Sequence, residues 1–347
     1  MTPVILHVAE SFGAGTATAV IGYVDRTPEV SHHLLMCARE ESVSAQHLKR
    51  FDSVTTSSLG VGFFNALNRT LRVVQPTAIH AHSTIAGALV RSSPSIRKLP
   101  VFYTPHCFLF ERTSLPRIAR AAIWCIERLL VRRTAALAAC SRREAALAVA
   151  MGHRVVLVPN APAKVASSIP SSRTVDIVGS GRLAPQKDPD AFAEIVDKIR
   201  RRRPETTAAW VGAGDDGTRE RLEAAGIEVT GWMELEAANA RIHRAHVLLH
   251  TARWEGFPLV LLEATTAGVP AVVRSIPPFD ELRYPIVGGS PLELAEMCIE
   301  LLESDLAVSK NLSAWAGVHT TYSSHGQRRA LRQLYGIPNA QGADSDH

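Results

Sequence analysis

Short apolar runs recur along the chain, each followed by a longer stretch in which apolar and polar residues alternate with helical spacing. In the first half, residues 4–8, 34–36, 78–80, 101–103, 135–139 and 155–158 read as strands. A second series follows at 175–178, 208–211, 228–229, 247–249 and 271–273. Between the two, residues 161–173 shift to Ala, Pro and Ser, the composition of a linker. Strands separated by helices pair in parallel through right-handed crossovers. The expected class is therefore α/β, with two tandem Rossmann-like, doubly wound domains. The predicted boundaries are 1–165 and 166–325, with a C-terminal helix over 326–338 that can pack back on the first domain. A disordered tail is expected over 339–347. Ligands of such sheets bind beyond the strand C-termini, so the active site is expected in the interdomain cleft.

One segment carries most of the chemistry. It runs Arg253-Trp254-Glu255-Gly256-Phe257-Pro258-Leu259 and on to Glu263, closed by Gly268. It reads as loop, short helix and turn between two strands. Pro258 suits the first helical position, which leaves Phe257 at the N-cap without a capping oxygen. The first helical amides then lack a local acceptor and are open to an anion. Glu255 lies just before the helix and Glu263 about one and a half turns inside it, one on each side of a diphosphate resting there.

Composition narrows the class. The chain has 347 residues, 46% of them hydrophobic, and a net charge of +5, which does not by itself imply nucleic acid. No apolar stretch reaches the roughly 18 residues of a membrane span, and the first residues lack the features of a signal peptide. Five cysteines without metal-ligand spacing favour a reducing cytoplasm over a disulfide framework. The positive charge is concentrated locally. Eight arginines stand against the single acid Glu127 between Arg112 and Arg143. On a helix, Arg117, Arg120, Trp124, Arg128 and Arg132 share one face, while Ile118, Ala122, Cys125, Ile126 and Leu129 form another, expected to face the core. A cationic face with a Trp suits peripheral contact with an anionic inner membrane face.

Several further motifs follow in order: Gly13-Ala14-Gly15, His80-Ala81-His82-Ser83, Tyr103-Thr104-Pro105-His106, Gly181-Arg182-Leu183 with Lys187, Val211-Gly-Ala-Gly214, Thr230-Gly231-Trp232 and Glu255 to Glu263. This set resembles the family 4 retaining glycosyltransferases of GT-B fold, over most of the chain, and the bacterial cell-surface polysaccharide type in particular. The resemblance implies that Arg182 and Lys187 bind the donor diphosphate and stabilise its leaving charge without a metal. It implies that Glu255, beside the Gly256, Phe257, Pro258 and Leu259 backbone, faces the donor sugar, and that Glu263 holds the ribose. His106 would contact the transferred sugar, and Trp232 and Met233 the base. Gly13 and Gly15 would let backbone approach the donor, while His82 and Phe108 would line the acceptor side. Cys107 departs from the family, which often has Gly there.

The expected function is thus retaining transfer of a sugar from a nucleotide diphosphate-sugar donor to a glycan or lipid-linked acceptor hydroxyl, with no cofactor or metal and no nucleic acid partner. A GT-B epimerase or hydrolase would instead turn over donor without acceptor, and a non-catalytic nucleotide-sugar binder would hold donor without turnover. Gly212 and Gly214 lack the third glycine of a dinucleotide fingerprint, and acidic Asp215 and Asp216 follow them.

Overall fold

The computed structural model describes residues 2–37, 45–162 and 172–338. The chain folds into two compact units. The first holds the described residues of Met1–Glu111, Leu115–Ala161 and Ser323–His347, and the second those of Arg112–Ser114 and Pro162–Tyr322. Most of the expected linker and all of the 339–347 tail lie outside the described residues.

The first unit is built on a seven-stranded sheet: β1 (Val4–Ala9), β2 (Ser31–Cys37), β3 (Ser53–Ser57), β4 (Ala78–His82), β5 (Val101–Thr104), β6 (Ala136–Ala139) and β7 (Val155–Leu157). The strand order is β3-β2-β1-β4-β5-β6-β7, and every pair is parallel. Side chains alternate across a strand. Leu6 and Val8 therefore enter one apolar cluster with Phe63, Leu67 and Ile79, while Ile5 enters another with Tyr23, Leu331 and Leu334. Those last two residues lie on the helix Ser324–Tyr335, which belongs to this unit. The sequence pattern does not reveal β3, because Ser53-Val54-Thr55-Thr56-Ser57 has no apolar run and forms a half-exposed sheet edge.

The helix Arg117–Leu130 corrects its sequence-based orientation. Ile118 and Leu129 are 86% and 77% exposed, and Cys125 and Ile126 are exposed as well. The inward position belongs to Glu127. Its carboxylate accepts from Arg91 Nη2 at 2.8 Å and from the Tyr103 hydroxyl at 2.9 Å, all three groups being fully buried. An ionised group needs a buried partner. Because Glu127 finds its partners inside, the apolar stripe on the opposite face of the helix points to solvent.

The second unit carries a six-stranded parallel sheet: β8 (Val175–Ser180), β9 (Ala208–Val211), β10 (Glu228–Val229), β11 (Ala245–His250), β12 (Ala271–Arg274) and β13 (Val287–Gly288). The order is β10-β9-β8-β11-β12-β13. Two apolar clusters, one around Phe192 and Trp210 and one around Leu261, Phe279 and Trp315, cover its strands. In both units the strand order reverses beside the first strand, between β1 and β4 and between β8 and β11. These are the topological switch points at which doubly wound sheets bind ligands.

Candidate active site

In the second unit the two loops flanking the switch point are tied together. The loop after β8 carries Arg182, Lys187 and Asp188, and the loop after β11 carries Arg253 and Glu255. The Arg253 amide donates to the Gln186 carbonyl at 2.8 Å, and the Gln186 side-chain amide donates to the Trp254 carbonyl at 3.1 Å. The Thr251 hydroxyl donates to the Lys187 carbonyl at 2.9 Å. Asp188 precedes the helix Pro189–Arg200 in the left-handed region, at φ 53°, and its side chain does not cap that helix. Instead it accepts from Arg253 through both oxygens, at 2.8 and 2.9 Å, and from Arg274 at 2.6 Å. Burial pushes the Asp188 carboxyl up, but the two guanidinium groups outweigh it and hold it below the usual range.

This scaffold sets Lys187 Nζ 2.5 Å from Glu255 Oε1, with 20% and 11% of the two side chains exposed. His250 Nε2 lies 3.9 Å from the same oxygen, and burial followed by the Lys187 charge keeps that imidazole well below its usual pKa. Gly181 explains the seat of the lysine. It sits at φ +136°, and a Cβ there would lie 2.7 Å from Lys187 Cγ and Cε. The glycine thus takes a backbone conformation that side chains avoid and leaves room for the lysine stem.

The helix Leu259–Thr266 starts one residue later than expected. Pro258 is its N-cap, with no side-chain acceptor, and Leu259 is its first residue. Proline lacks an N–H, so the backbone donors of this segment are those of Gly256, Phe257 and Leu259 and not of Pro258. The Phe257 ring is core, stacked on Tyr322 at 3.8 Å between centroids. Glu263 is buried inside the helix. Arg182 and Trp232 are exposed, and Met233 packs partly against the second-unit core. Trp232, for which a core position is the plain alternative, stands 58% exposed.

In the first unit the turns after β4 and β5 carry unusual backbone. Ser83, His106 and Cys107 have φ of 79°, 58° and 117°. The last of these occupies the position where the family often has Gly, which accounts for that preference. Glu144 holds the turn: Oε1 accepts from the Cys107 amide at 2.9 Å and Oε2 from the Cys140 amide at 2.8 Å. Burial raises the Glu144 carboxyl to about 7, against the pull of those two amides. Gly13 is the extended N-cap of the helix Ala14–Arg26. A Cβ on Gly15 would meet nothing within 4 Å, so packing within the unit does not demand glycine there.

Behind this turn lies a cluster of buried imidazoles. Register places His7 beside His80, His82 one pleat further along, and His32 beside Ile5, so all four side chains share one sheet face. His82 Nδ1 is 3.1 Å from His106 Nε2, His82 Nε2 is 2.9 Å from His7 Nδ1, and His7 Nε2 is 3.0 Å from His32 Nδ1. His80 bridges the Tyr335 and Thr104 hydroxyls, at 2.8 Å each. His7, His80 and His82 offer nitrogens within 4.8 Å of one another, a spacing that suits a metal ion. Two of those residues, however, already bond to each other. His82 and Phe108, expected on the acceptor side, are wholly buried and have no surface for an acceptor.

Sequence reasoning did not single out Asp188, Arg274, Glu144, His7 or His32. Only Glu144 had a local signal, the Ser141-x-x-Glu144 pattern of a helix start.

Comparison with known proteins agrees with this architecture. Residues 3–161 match the family model "Glycosyl transferase 4-like domain", and residues 174–304 match "Glycosyl transferases group 1". A Klebsiella pneumoniae protein described as an uncharacterized 41.2 kDa protein in cps region is 25% identical over 323 residues, 86% of this chain and 89% of that one. The Escherichia coli UDP-Gal:alpha-D-GlcNAc-diphosphoundecaprenol alpha-1,3-galactosyltransferase is 25% identical over 245 residues, 61% of this chain and 61% of that one. Among solved structures, Anabaena Alr3699/HepE in complex with UDP and glucose aligns with a TM-score of 0.75 at 16% identity, over 96% of this chain and 100% of that chain. The two family matches run through both units, and the chain belongs to the group 1, family 4-type glycosyltransferases of GT-B fold.

Proposed function

We propose that this glycosyltransferase moves a sugar from a nucleotide diphosphate-sugar donor to a hydroxyl of a glycan or lipid-linked acceptor, with retained anomeric configuration and no metal ion. The observation that carries the reading is the Lys187–Glu255 pair at the β8/β11 switch point, beside a helix N-terminus whose cap lacks a side-chain acceptor. Cleavage of the glycosyl phosphate bond leaves negative charge on the diphosphate. Arg182, Lys187 and the amides of Gly256 and Leu259 stabilise it as it forms. Glu255, released from Lys187 by the incoming phosphate, turns to the sugar, while Glu263 holds the ribose and Trp232 with Met233 the base. His106 contacts the sugar, and Gly13 and Gly15 admit the donor. The leaving phosphate oxygen takes the proton of the attacking hydroxyl on the same face, so no protein nucleophile is required. The E. coli relative, named for UDP-Gal and a diphosphoundecaprenol acceptor, supports this choice of substrates.

Nucleotide sugars offered with candidate acceptors test the reading, with the product anomer assigned by NMR. Retained configuration and activity that survives chelation are expected. An inverted product or strict dependence on a divalent ion overturns the corresponding part. Donor consumed without acceptor marks an epimerase or hydrolase, and donor bound without turnover marks a binding protein.

The exposed stripe of Ile118, Cys125 and Leu129, flanked by Arg117, Trp124 and Arg128, supports a second element of the proposal, peripheral contact with an anionic lipid surface. No described helix is long and apolar enough to cross a membrane.

A further inference from the structure

The imidazole chain in the first unit has a direction. It ends at Thr27. His32 Nε2 lies 3.1 Å from the Thr27 carbonyl and 3.0 Å from the Thr27 hydroxyl. That hydroxyl donates its own proton to the Tyr23 carbonyl at 2.7 Å. Both Thr27 oxygens therefore face His32 as acceptors, and His32 must carry its proton on Nε2. A neutral imidazole has one donor and one acceptor nitrogen, so His32 Nδ1 accepts and His7 Nε2 donates to it. His7 Nδ1 then accepts from His82 Nε2–H, and His82 Nδ1 accepts from His106 Nε2–H. Burial lowers the pKa of all four rings and keeps them neutral at pH 7.

We propose that Thr27, His32, His7 and His82 form a tautomer relay that fixes His106 with its proton on Nε2, so that Nδ1 presents a lone pair to the substrate. Thr27, His32, His7 and His82 are positioning residues, and only His106 touches ligand. The consequence is a rule of specificity. The group that meets His106 must donate a hydrogen bond, as a sugar hydroxyl does, and a carbonyl, ether or fluoro group in its place leaves two acceptors facing each other. The rule rests on the assignment of His106 to the sugar, but the relay itself does not.

Two-bond 1H–15N correlation spectra of the imidazoles, recorded on the full-length ligand-free protein at pH 7.5, provide the test, with His106→Gln assigning the signal. The expected result is the Nε2–H tautomer at His106, and an Nδ1–H or charged ring overturns the relay. In His7→Phe, judged folded by its circular dichroism, His106 is expected to become a tautomer mixture. An unchanged single tautomer there also overturns the relay. Finally, donors deoxygenated one hydroxyl at a time are compared in wild type and in His106→Gln. One deoxy donor is expected to lose at least tenfold in kcat/KM with wild type and much less with the variant. If no deoxy donor behaves so while the tautomer is as expected, the sugar assignment fails and the relay stands.

Discussion

Asp188 grips Arg253 through both carboxylate oxygens, at 2.8 and 2.9 Å. The pair fastens the loop that carries Lys187 to the loop that carries Glu255. Arg274 joins them on the same carboxylate. Asp188→Ala leaves both guanidinium groups without this partner, and Arg274 is only 25% exposed. A loss of about 1–3 kcal/mol in urea unfolding is expected, together with a fall in kcat/KM. Wild-type stability and activity would show that the fastening is dispensable.

Lys187→Ala and Arg182→Ala each remove a cation from the proposed diphosphate site. Each is expected to cost about 2–4 kcal/mol of transition-state stabilisation, or roughly 30- to 1,000-fold in kcat/KM. Lys187→Ala also leaves Glu255 without its 2.5 Å partner. Steady-state kinetics with the preferred donor decides, and unchanged kcat/KM in both variants removes the assignment.

Cys107 holds φ at 117°, a value that costs a non-glycine residue about 1–3 kcal/mol. Cys107→Gly relieves that strain but adds backbone entropy to the unfolded chain. A net gain of about 1 kcal/mol is expected in urea denaturation, with the Glu144 clamp intact. A destabilised variant would mean that the cysteine side chain matters more than the strain.

Acid should unfold the protein early. His106 is held at about 4 against an ordinary 6.5, chiefly by burial, and His7, His80 and His82 lie well below 6.5 for the same first cause. Below pH 6.5 the unfolded chain binds protons that the fold refuses, so stability falls as pH drops from 6.5 toward 4. Glu144 acts in the opposite sense between its ordinary 4.5 and about 7, because the fold keeps a proton that the unfolded chain releases. Each proton is worth about 1.4 kcal/mol per pH unit, and four histidines outweigh one carboxyl. Urea midpoints are expected to drop steeply from pH 6.5 to 5, and less steeply in His80→Gln. A flat profile contradicts the neutral cluster.

Vesicle binding should follow the exposed helix face. Ile118→Ser with Leu129→Ser removes apolar area without touching the core, and Arg117→Glu with Arg128→Glu reverses the flanking charge. Both double variants are expected to lose most sedimentation with anionic phospholipid vesicles, and the charge reversal should mimic high salt. Undiminished binding in both pairs dismisses the lipid contact.

The alternation of strands with helices was legible without coordinates because each buried strand announces itself as an apolar run, bounded by turn residues. The ordered motifs around Lys187 and Glu255 were legible as a family resemblance, and the family matches bear that out, but the approach of Lys187 Nζ to Glu255 Oε1 at 2.5 Å was not legible. Periodicity failed on the Arg117–Leu130 helix, where a buried ion pair from Glu127 to Arg91, 36 residues apart, turned the apolar stripe outward. The same holds for the Asp188 clamp and for the relay from Thr27 to His106. His7, His32 and His82 sit unremarkably on three different strands and His106 on the turn after β5, and only the return of the chain brings their nitrogens to 2.9–3.1 Å. Local sequence thus determined the elements and the residue types at the loops. Pairing between distant charges and rings was decided by the tertiary structure, because burial makes each polar group find its partner wherever the chain returns.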